Sequence, residues 1–144
     1  MRRTDSTIRG CDPNSLLVRE IMEDDVVTCD PRTDGGTIVE MLTTLRFGSI
    51  PVVGEEKRLL GLVSEYDLLE AVVQGRDLRK MTAEAVMVRD VLTVTEDQRV
   101  EELARLFQDR YLTRVPVVRG KQLVGIVARR DLLTGYLKAL KAWS

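Results

Sequence analysis

The stretch FGSIPVVGEEKRLLGLVSEYDLL, residues 47–69, decides the fold. It holds two short apolar runs, IPVV and LLGLV, separated by the polar GEEKR. Runs of this length bounded by turn residues read as a strand hairpin. The polar-apolar SEYDLL that follows reads as the start of a helix, carrying a hydroxyl residue and an acid three positions apart. The same order of pieces returns as LTRVPVVRGKQLVGIVARRDLL, residues 112–133.

Working outward, the two copies extend well beyond the hairpin. Met22, Asp25, Thr28, Pro51, Val52 and Val53 recur 65 residues later as Met87, Asp90, Thr93, Pro116, Val117 and Val118. One residue is then lost from the hairpin loop. Leu59, Gly61, Val63, Asp67, Leu68 and Leu69 therefore recur 64 residues later, as Leu123, Gly125, Val127, Asp131, Leu132 and Leu133. Repeats at a fixed period are the first thing to settle, because they set the architecture.

Each copy opens with a helical stretch ending at its Met. A short strand follows, VVT at 26–28 and VLT at 91–93, and then an amphipathic helix. In the second copy Val100, Leu103, Leu106, Phe107 and Tyr111 fall near helical spacing on one face. Ile38, Met41, Leu42 and Leu45 are the counterparts in the first. Gly35-Gly36 opens that copy's helix, and glycine costs ~1 kcal/mol in a helix interior, so a late start or frayed N-terminus is expected. The closing helices are expected at 64–74, stopped near Gly75, and at 129–141. In the latter Leu133, Tyr136, Leu137 and Leu140 follow the i, i+3, i+4, i+7 pattern.

The expected fold class is α/β in the α+β sense: two β-α-β-β-α repeats packed sheet to sheet with pseudo-twofold symmetry. The division is an N-terminal arm over 1–14, a first repeat over 15–74, a linker over 75–82 and a second repeat over 83–144. A unit of about 50 residues rarely buries enough surface alone, so the repeats are expected to form one module.

Composition removes several function classes. Lys and Arg number 22 against 23 Asp and Glu, a formal charge of −1, with 4% aromatics, which disfavours nucleic-acid binding. Histidine, the usual general base and a favoured metal ligand, is absent. There is no P-loop and no G-x-G-x-x-G, so no catalytic residue and no metal ligand is assigned, and an enzyme is not expected. Cys11 and Cys29 lack metal-ligand spacing and read as reduced thiols. No apolar run reaches the ~20 residues of a membrane span, and the N-terminus lacks the apolar stretch of a signal peptide. A cytoplasmic protein is expected.

The residues Met22…Thr28, 47–53 and 59–69, with Met87…Thr93, 112–118 and 123–133, resemble the CBS domain family. No single piece is very specific, but all of them in order, twice, are. The resemblance spans about residues 15 to 136. It implies a stand-alone tandem pair that binds AMP, ADP, ATP or S-adenosylmethionine as a regulatory ligand in the cleft between its repeats, commonly as a homodimer, signalling to an effector protein. No cofactor is required.

The same resemblance assigns ribose binding to Asp67 and Asp131 and phosphate binding to the hydroxyl residue Ser64. The adenine slot falls to Ser49 and Ile50 in one copy and Arg114 and Val115 in the other, with Thr28 and Thr93 as further candidates. The physics agrees, since a helix N-terminus offers amides and a positive dipole end to phosphate. A carboxylate can accept from both ribose hydroxyls. Ser64-x-x-Asp67 is equally a capping box. Ala128 cannot cap, so Asp131 is expected to have no reciprocal capping partner, and its presence at the matched position favours the ribose role. Strand packing is an alternative role for Ile50 and Val115. Arg129 and Arg130 could hold phosphate, whereas Glu65 would repel it, so the second site is expected to prefer a phosphorylated ligand. For the Arg pair a solvated helix face is the ordinary alternative. A module with degenerate, empty sites, acting in protein interaction, is the second reading. Trp143 reads as a dimer contact or a loose tail, and Lys138 and Lys141 suit a helix C-terminus.

Overall fold

The computed structural model describes residues 12–143; Cys11, most of the N-terminal arm and Ser144 lie outside the described residues. Helix α1 spans Gly35–Leu45, β1 Ser49–Val53, β2 Leu59–Ser64, α2 Glu65–Val73 and α3 Ala83–Val86. Helix α4 spans Val100–Arg110, β3 Arg114–Arg119, β4 Gln122–Ala128 and α5 Arg129–Trp143. The α+β class and the two repeats are as expected.

Each hairpin is its own two-stranded sheet, β1–β2 and β3–β4. In the first, Ser49 lies opposite Ser64, Ile50 opposite Val63 and Pro51 opposite Leu62, with a register shift at Val52/Val53. The short strands expected at 26–28 and 91–93 are not strands. Each reduces to one parallel bridge a residue later, Cys29 to Val52 and Val94 to Val117. Cys29 N donates to Pro51 O at 2.9 Å and Cys29 O accepts from Val53 N at 3.0 Å. Val94 repeats this with Pro116 O and Val118 N at 3.1 and 2.9 Å. Proline has no N–H to give a ladder. The bridging segments meet Pro51 and Pro116 through their carbonyls only, which keeps the added strand to a single rung.

The chain forms two compact units. One comprises the described residues up to Val26, with Leu92–Gly120 and Val124 onward; the other comprises Val27–Val91 and Lys121–Leu123. These units cut across the sequence repeats. In the first, Leu16, Val18, Ile21 and Met22 are buried among Val94, Leu103, Phe107, Val117 and Val127 of the second copy. In the other, Ala83 is buried with Cys29, Ile38, Leu42, Ile50 and Val63, and Leu78, Val86 and Met87 pack against them. The opening residues of each copy therefore complete the core of the other copy. The contact that fixes them is a Met laid on a strand glycine. A Cβ on Gly125 would stand 2.6 Å from Met22 Sδ, and one on Gly61 would stand 2.6 Å from Met87 Sδ and 2.7 Å from Val88 O. Only glycine leaves room for the thioether at either place.

Helix α1 corrects the sequence expectation. It starts at Gly35 and is as long as α4, with 11 residues each. Asp34 is its N-cap and accepts from Thr37 N at 3.2 Å. The glycines therefore occupy the first turn rather than the interior, where their conformational cost is smaller. Gly35 is also required sterically, because a Cβ there would meet Leu78 O at 2.7 Å.

Two apolar stripes also need correction. Val100, Leu103 and Phe107 are buried as expected, but Tyr111 is 90% exposed in the left-handed C-cap of α4. On α5 the buried face is Asp131, Leu132, Gly135 and Ala139, while Leu133, Tyr136, Leu137 and Leu140 face outward. Gly135 decides this orientation: a Cβ there would stand 2.3 Å from Ile21 Cγ2, so α5 seats its small residues against the 18–22 segment and turns its large ones away.

Met22→Ala is expected to cost ~2–5 kcal/mol of stability in urea denaturation, the usual range for emptying such a site. Amide exchange should show the loss in β3 and β4, not in β1 and β2. Gly35→Ala should destabilise by ~1–3 kcal/mol despite alanine's better helix propensity, because the Leu78 carbonyl has to move. An unchanged midpoint would show that this close approach is unimportant.

Candidate functional site

Each unit contains one strand–helix corner carrying the residues singled out by sequence. In the Val27–Val91 unit the corner is the junction of β2 with α2. Ser64 is the N-cap of α2. Its Oγ accepts from Asp67 N at 3.1 Å, and the Asp67 carboxylate accepts from Ser64 N at 2.9 Å and from Ser64 Oγ at 2.8 Å. The capping box is complete, so helix capping accounts for Ser64 and Asp67 as they stand. Ser49, 4% exposed, is the strand partner of Ser64, which brings Ser49, Ser64 and Asp67 to one corner. Gly48 O accepts from Glu65 N at 2.9 Å and closes that corner. Glu65 itself is exposed.

The second corner, between β4 and α5, keeps the same backbone. Arg129 N donates to Thr113 O at 3.2 Å, the counterpart of the Glu65–Gly48 bond. Ala128 N donates to Asp131 Oδ2 at 2.8 Å, the counterpart of Ser64 N to Asp67. The expectation that Asp131 has no capping partner is therefore half corrected: the hydroxyl is missing, but the backbone half of the box is made. Asp131 is only 3% exposed. A buried carboxylate requires a compensating charge or hydrogen bonds. Arg114, half-buried at the start of β3, supplies the field: burial pushes its guanidinium below its ordinary range, and the Asp131 carboxylate pulls it back up. Sequence reasoning had placed Arg114 in the adenine slot only. The signal for its link to Asp131 was available, since Arg114 stands 65 residues after Ser49, the residue that shares a corner with Asp67.

The remaining candidates divide clearly. Ile50 and Val115 are fully buried core residues, so their side chains belong to packing. Thr28 and Thr93 are half-buried, each one residue before its parallel bridge. Arg129 and Arg130 are both exposed on the first turn of α5. Burial pushes the Cys29 thiol up to about 11, with Asp30 adding to the effect, so it is protonated at neutral pH and a poor nucleophile. No group of metal-ligating side chains occurs among the described residues. No helix among them is long and apolar enough to cross a membrane.

Comparison with known proteins agrees with this geometry. The CBS domain family model matches residues 18–74 and again 83–138. The chain is 32% identical over 116 residues to the uncharacterized protein MJ1225 of Methanocaldococcus jannaschii, and 34% identical over 122 residues to the uncharacterized protein MK0525 of Methanopyrus kandleri. These alignments cover 81% and 83% of this chain but only 41% and 62% of the relatives, so the chain spans less than two thirds of their length. Among solved structures, the AcuB protein from Vibrio cholerae superposes with a TM-score of 0.80 at 27% identity, covering 88% of this chain and 93% of that one. The CBS domain pair of protein MJ0100, in complex with 5-methylthioadenosine and S-adenosyl-L-methionine, gives 0.71 at 28% identity, with 82% and 93% covered. CBSX2 in complex with AMP gives 0.75 at 24%, with 85% and 97% covered, which speaks for the fold alone. The chain therefore belongs to the CBS domain family, with two copies of the domain in tandem.

Proposed function

We propose that this chain is a non-catalytic regulatory module, with repeats at 15–74 and 83–144, that binds an adenosine ligand at its strand–helix corners and signals to a protein partner. The observation that carries the reading is Asp131. It is a buried carboxylate at the first turn of α5, present where the neighbouring hydroxyl of a capping box is not. A residue needed only for capping would gain from Ser at position 128, and this chain has Ala. The Asp131 carboxylate accepts from the Ala128 amide, and ribose hydroxyls would donate to the same carboxylate. The amides and dipole of α5 face a phosphate favourably. Arg114, Arg129 and Arg130 add positive charge to that corner. Relatedness to the MJ0100 pair, which holds 5-methylthioadenosine and S-adenosyl-L-methionine, supports the ligand class.

The two corners differ in charge. The first has Glu65 and a self-satisfied capping box, which favours an empty site or a ligand with little negative charge. The second has the cations, which favours AMP, ADP or ATP over uncharged ligands. An interaction module with empty sites is the competing reading, and the complete Ser64–Asp67 box favours it for the first corner. A cytoplasmic homodimer is the form in which we expect the module to act.

Isothermal titration is expected to show AMP binding to the wild-type chain. Asp131→Ala should weaken it at least tenfold, equivalent to ~1.4 kcal/mol, and Asp67→Ala should weaken it much less. At ligand a hundredfold above its Kd, thermal unfolding should report ~2.7 kcal/mol of stabilisation. No response to any adenosine ligand would leave only the interaction reading. Capping is checked separately by denaturation without ligand: Ser64→Ala should cost ~1 kcal/mol and Ala128→Ser should stabilise by a comparable or smaller amount. If Ala128→Ser destabilises, the two corners are not equivalent.

A further inference from the structure

Each unit is closed by a Met laid on a strand glycine, and the two contacts differ in their access to solvent. Met22 is 1% exposed and lies inside its core. Met87 is half-buried and packs at the edge of the other core. The chain around it is open as well: Ala85, Val88, Arg89 and Asp90 are exposed, with Val88 at 47%. The thioether of Met87 nevertheless fits closely where it touches the strand. A Cβ on Gly61 would stand 2.6 Å from Met87 Sδ and 2.7 Å from Val88 O. An oxygen added to that side of the sulfur would find no more room than a methyl carbon, and it would meet a carbonyl, which is an acceptor and not a donor. The backbone donors of the adjoining bridge are engaged: Leu62 N donates to Val88 O at 3.0 Å and Val88 N to Leu62 O at 2.9 Å. A strong acceptor held there without a donor is unfavourable.

We infer that Met87 is a site of reversible oxidation by peroxide, and that its sulfoxide opens the Gly61 contact of the Val27–Val91 unit while Met22 stays reduced and keeps the other unit closed. The step moves two electrons. The sulfur lone pair attacks one peroxide oxygen, an S–O bond forms and the O–O bond breaks. The departing hydroxide takes the proton of the transferred hydroxyl and leaves as water. Sulfur is oxidised and peroxide is reduced. Sulfoxide reductases return the thioether, so the change can be undone. Strand β2 runs from this contact at Gly61 to Ser64, the cap of α2, so loosening at Met87 is transmitted toward the corner that holds Asp67. The other sulfur groups of the unit do not substitute for Met87. Met81 is buried, and the Cys29 thiol is buried and protonated. Met41, half-buried on α1, serves as the internal control for access alone.

The test treats the full chain with hydrogen peroxide and follows each methionine by peptide mass spectrometry. Met87 should gain oxygen at least about tenfold faster than Met22, which reacts only when its core opens. In the oxidised protein, amide exchange at Leu62 and Val88 should rise about tenfold or more, with exchange at Ile126 unchanged. Methionine sulfoxide reductase should reverse the rise. Met87→Leu, a volume-conserving swap, should keep the fold and show no rise at Leu62 after the same treatment. It retains every other methionine and both cysteines, so loosening caused by any of those would persist in it. Met41→Leu should show the full rise. The order of oxidation and its reversal are read on the wild type, so they decide even without the variants. Equal rates at Met87 and Met22 overturn the inference. So does Met87 sulfoxide with no faster exchange at Leu62, or the same rise in Met87→Leu.

Discussion

A methionine thioether lying flat on a strand glycine holds each unit together. Met22 covers Gly125 and Met87 covers Gly61, and at both places a single added carbon would collide with sulfur. The contact joins the opening segment of one copy to the hairpin of the other. Everything else in the core follows from it: Val18 and Ile21 are carried in against α4 and α5, and Ala83 is carried in against α1 and β2. Gly135, which lets α5 approach Ile21, is part of the same arrangement, because a larger residue there would push the helix off the segment that Met22 anchors. The outward direction of the large α5 side chains is thus a consequence of where the small ones must sit.

The two strand–helix corners share one backbone and differ in their side chains. Both corners close with the same pair of hydrogen bonds, and both place an aspartate on the amide of the last strand residue. Three side chains then set them apart. Ser64 in place of Ala128 completes a capping box and uses up the hydroxyl. Ser49 stands in the first corner where the second has the half-buried guanidinium of Arg114. Glu65 in place of Arg129 reverses the sign at the helix start. In the first corner helix capping occupies the Asp67 carboxylate, whereas in the copy without a capping hydroxyl the carboxylate, Asp131, is the more deeply buried of the two.

The repeat arithmetic made most of the fold legible, because Pro, Gly and Asp at fixed offsets mark turns and helix starts that are locally determined. The hairpins and four long helices followed from it. What the sequence hid was non-local. Nothing in residues 16–22 says that they belong with Val127 rather than Val63, since an apolar segment fits either core. The α5 stripe misled for the same reason: Leu133, Tyr136, Leu137 and Leu140 have the spacing of a buried face, and only the collision at Gly135 shows that Leu132 and Ala139 are inside. At α1, Gly35-Gly36 suggested fraying because the cap at Asp34 and the neighbouring Leu78 carbonyl come from chain placement, not from composition. In the site, Asp67 and Asp131 could be named from sequence, but the Arg114–Asp131 relation depended on burial.

The interleaving of the cores also sets the order in which the chain can become structured as it is made. The unit built around Cys29, Ile38, Ile50 and Val63 has nearly all its core once Met87 has been synthesised, so it can close early. Residues 16–22 emerge before any of it, yet their partners on β3, β4 and α5 are the last to appear. For most of synthesis this apolar segment has nowhere to go. Contacts between segments far apart in sequence are the slowest to form, and exposed apolar segments are the ones that aggregate or draw chaperones. The module thus depends, for the half that holds Asp131, on keeping its first apolar segment available until its last helix arrives.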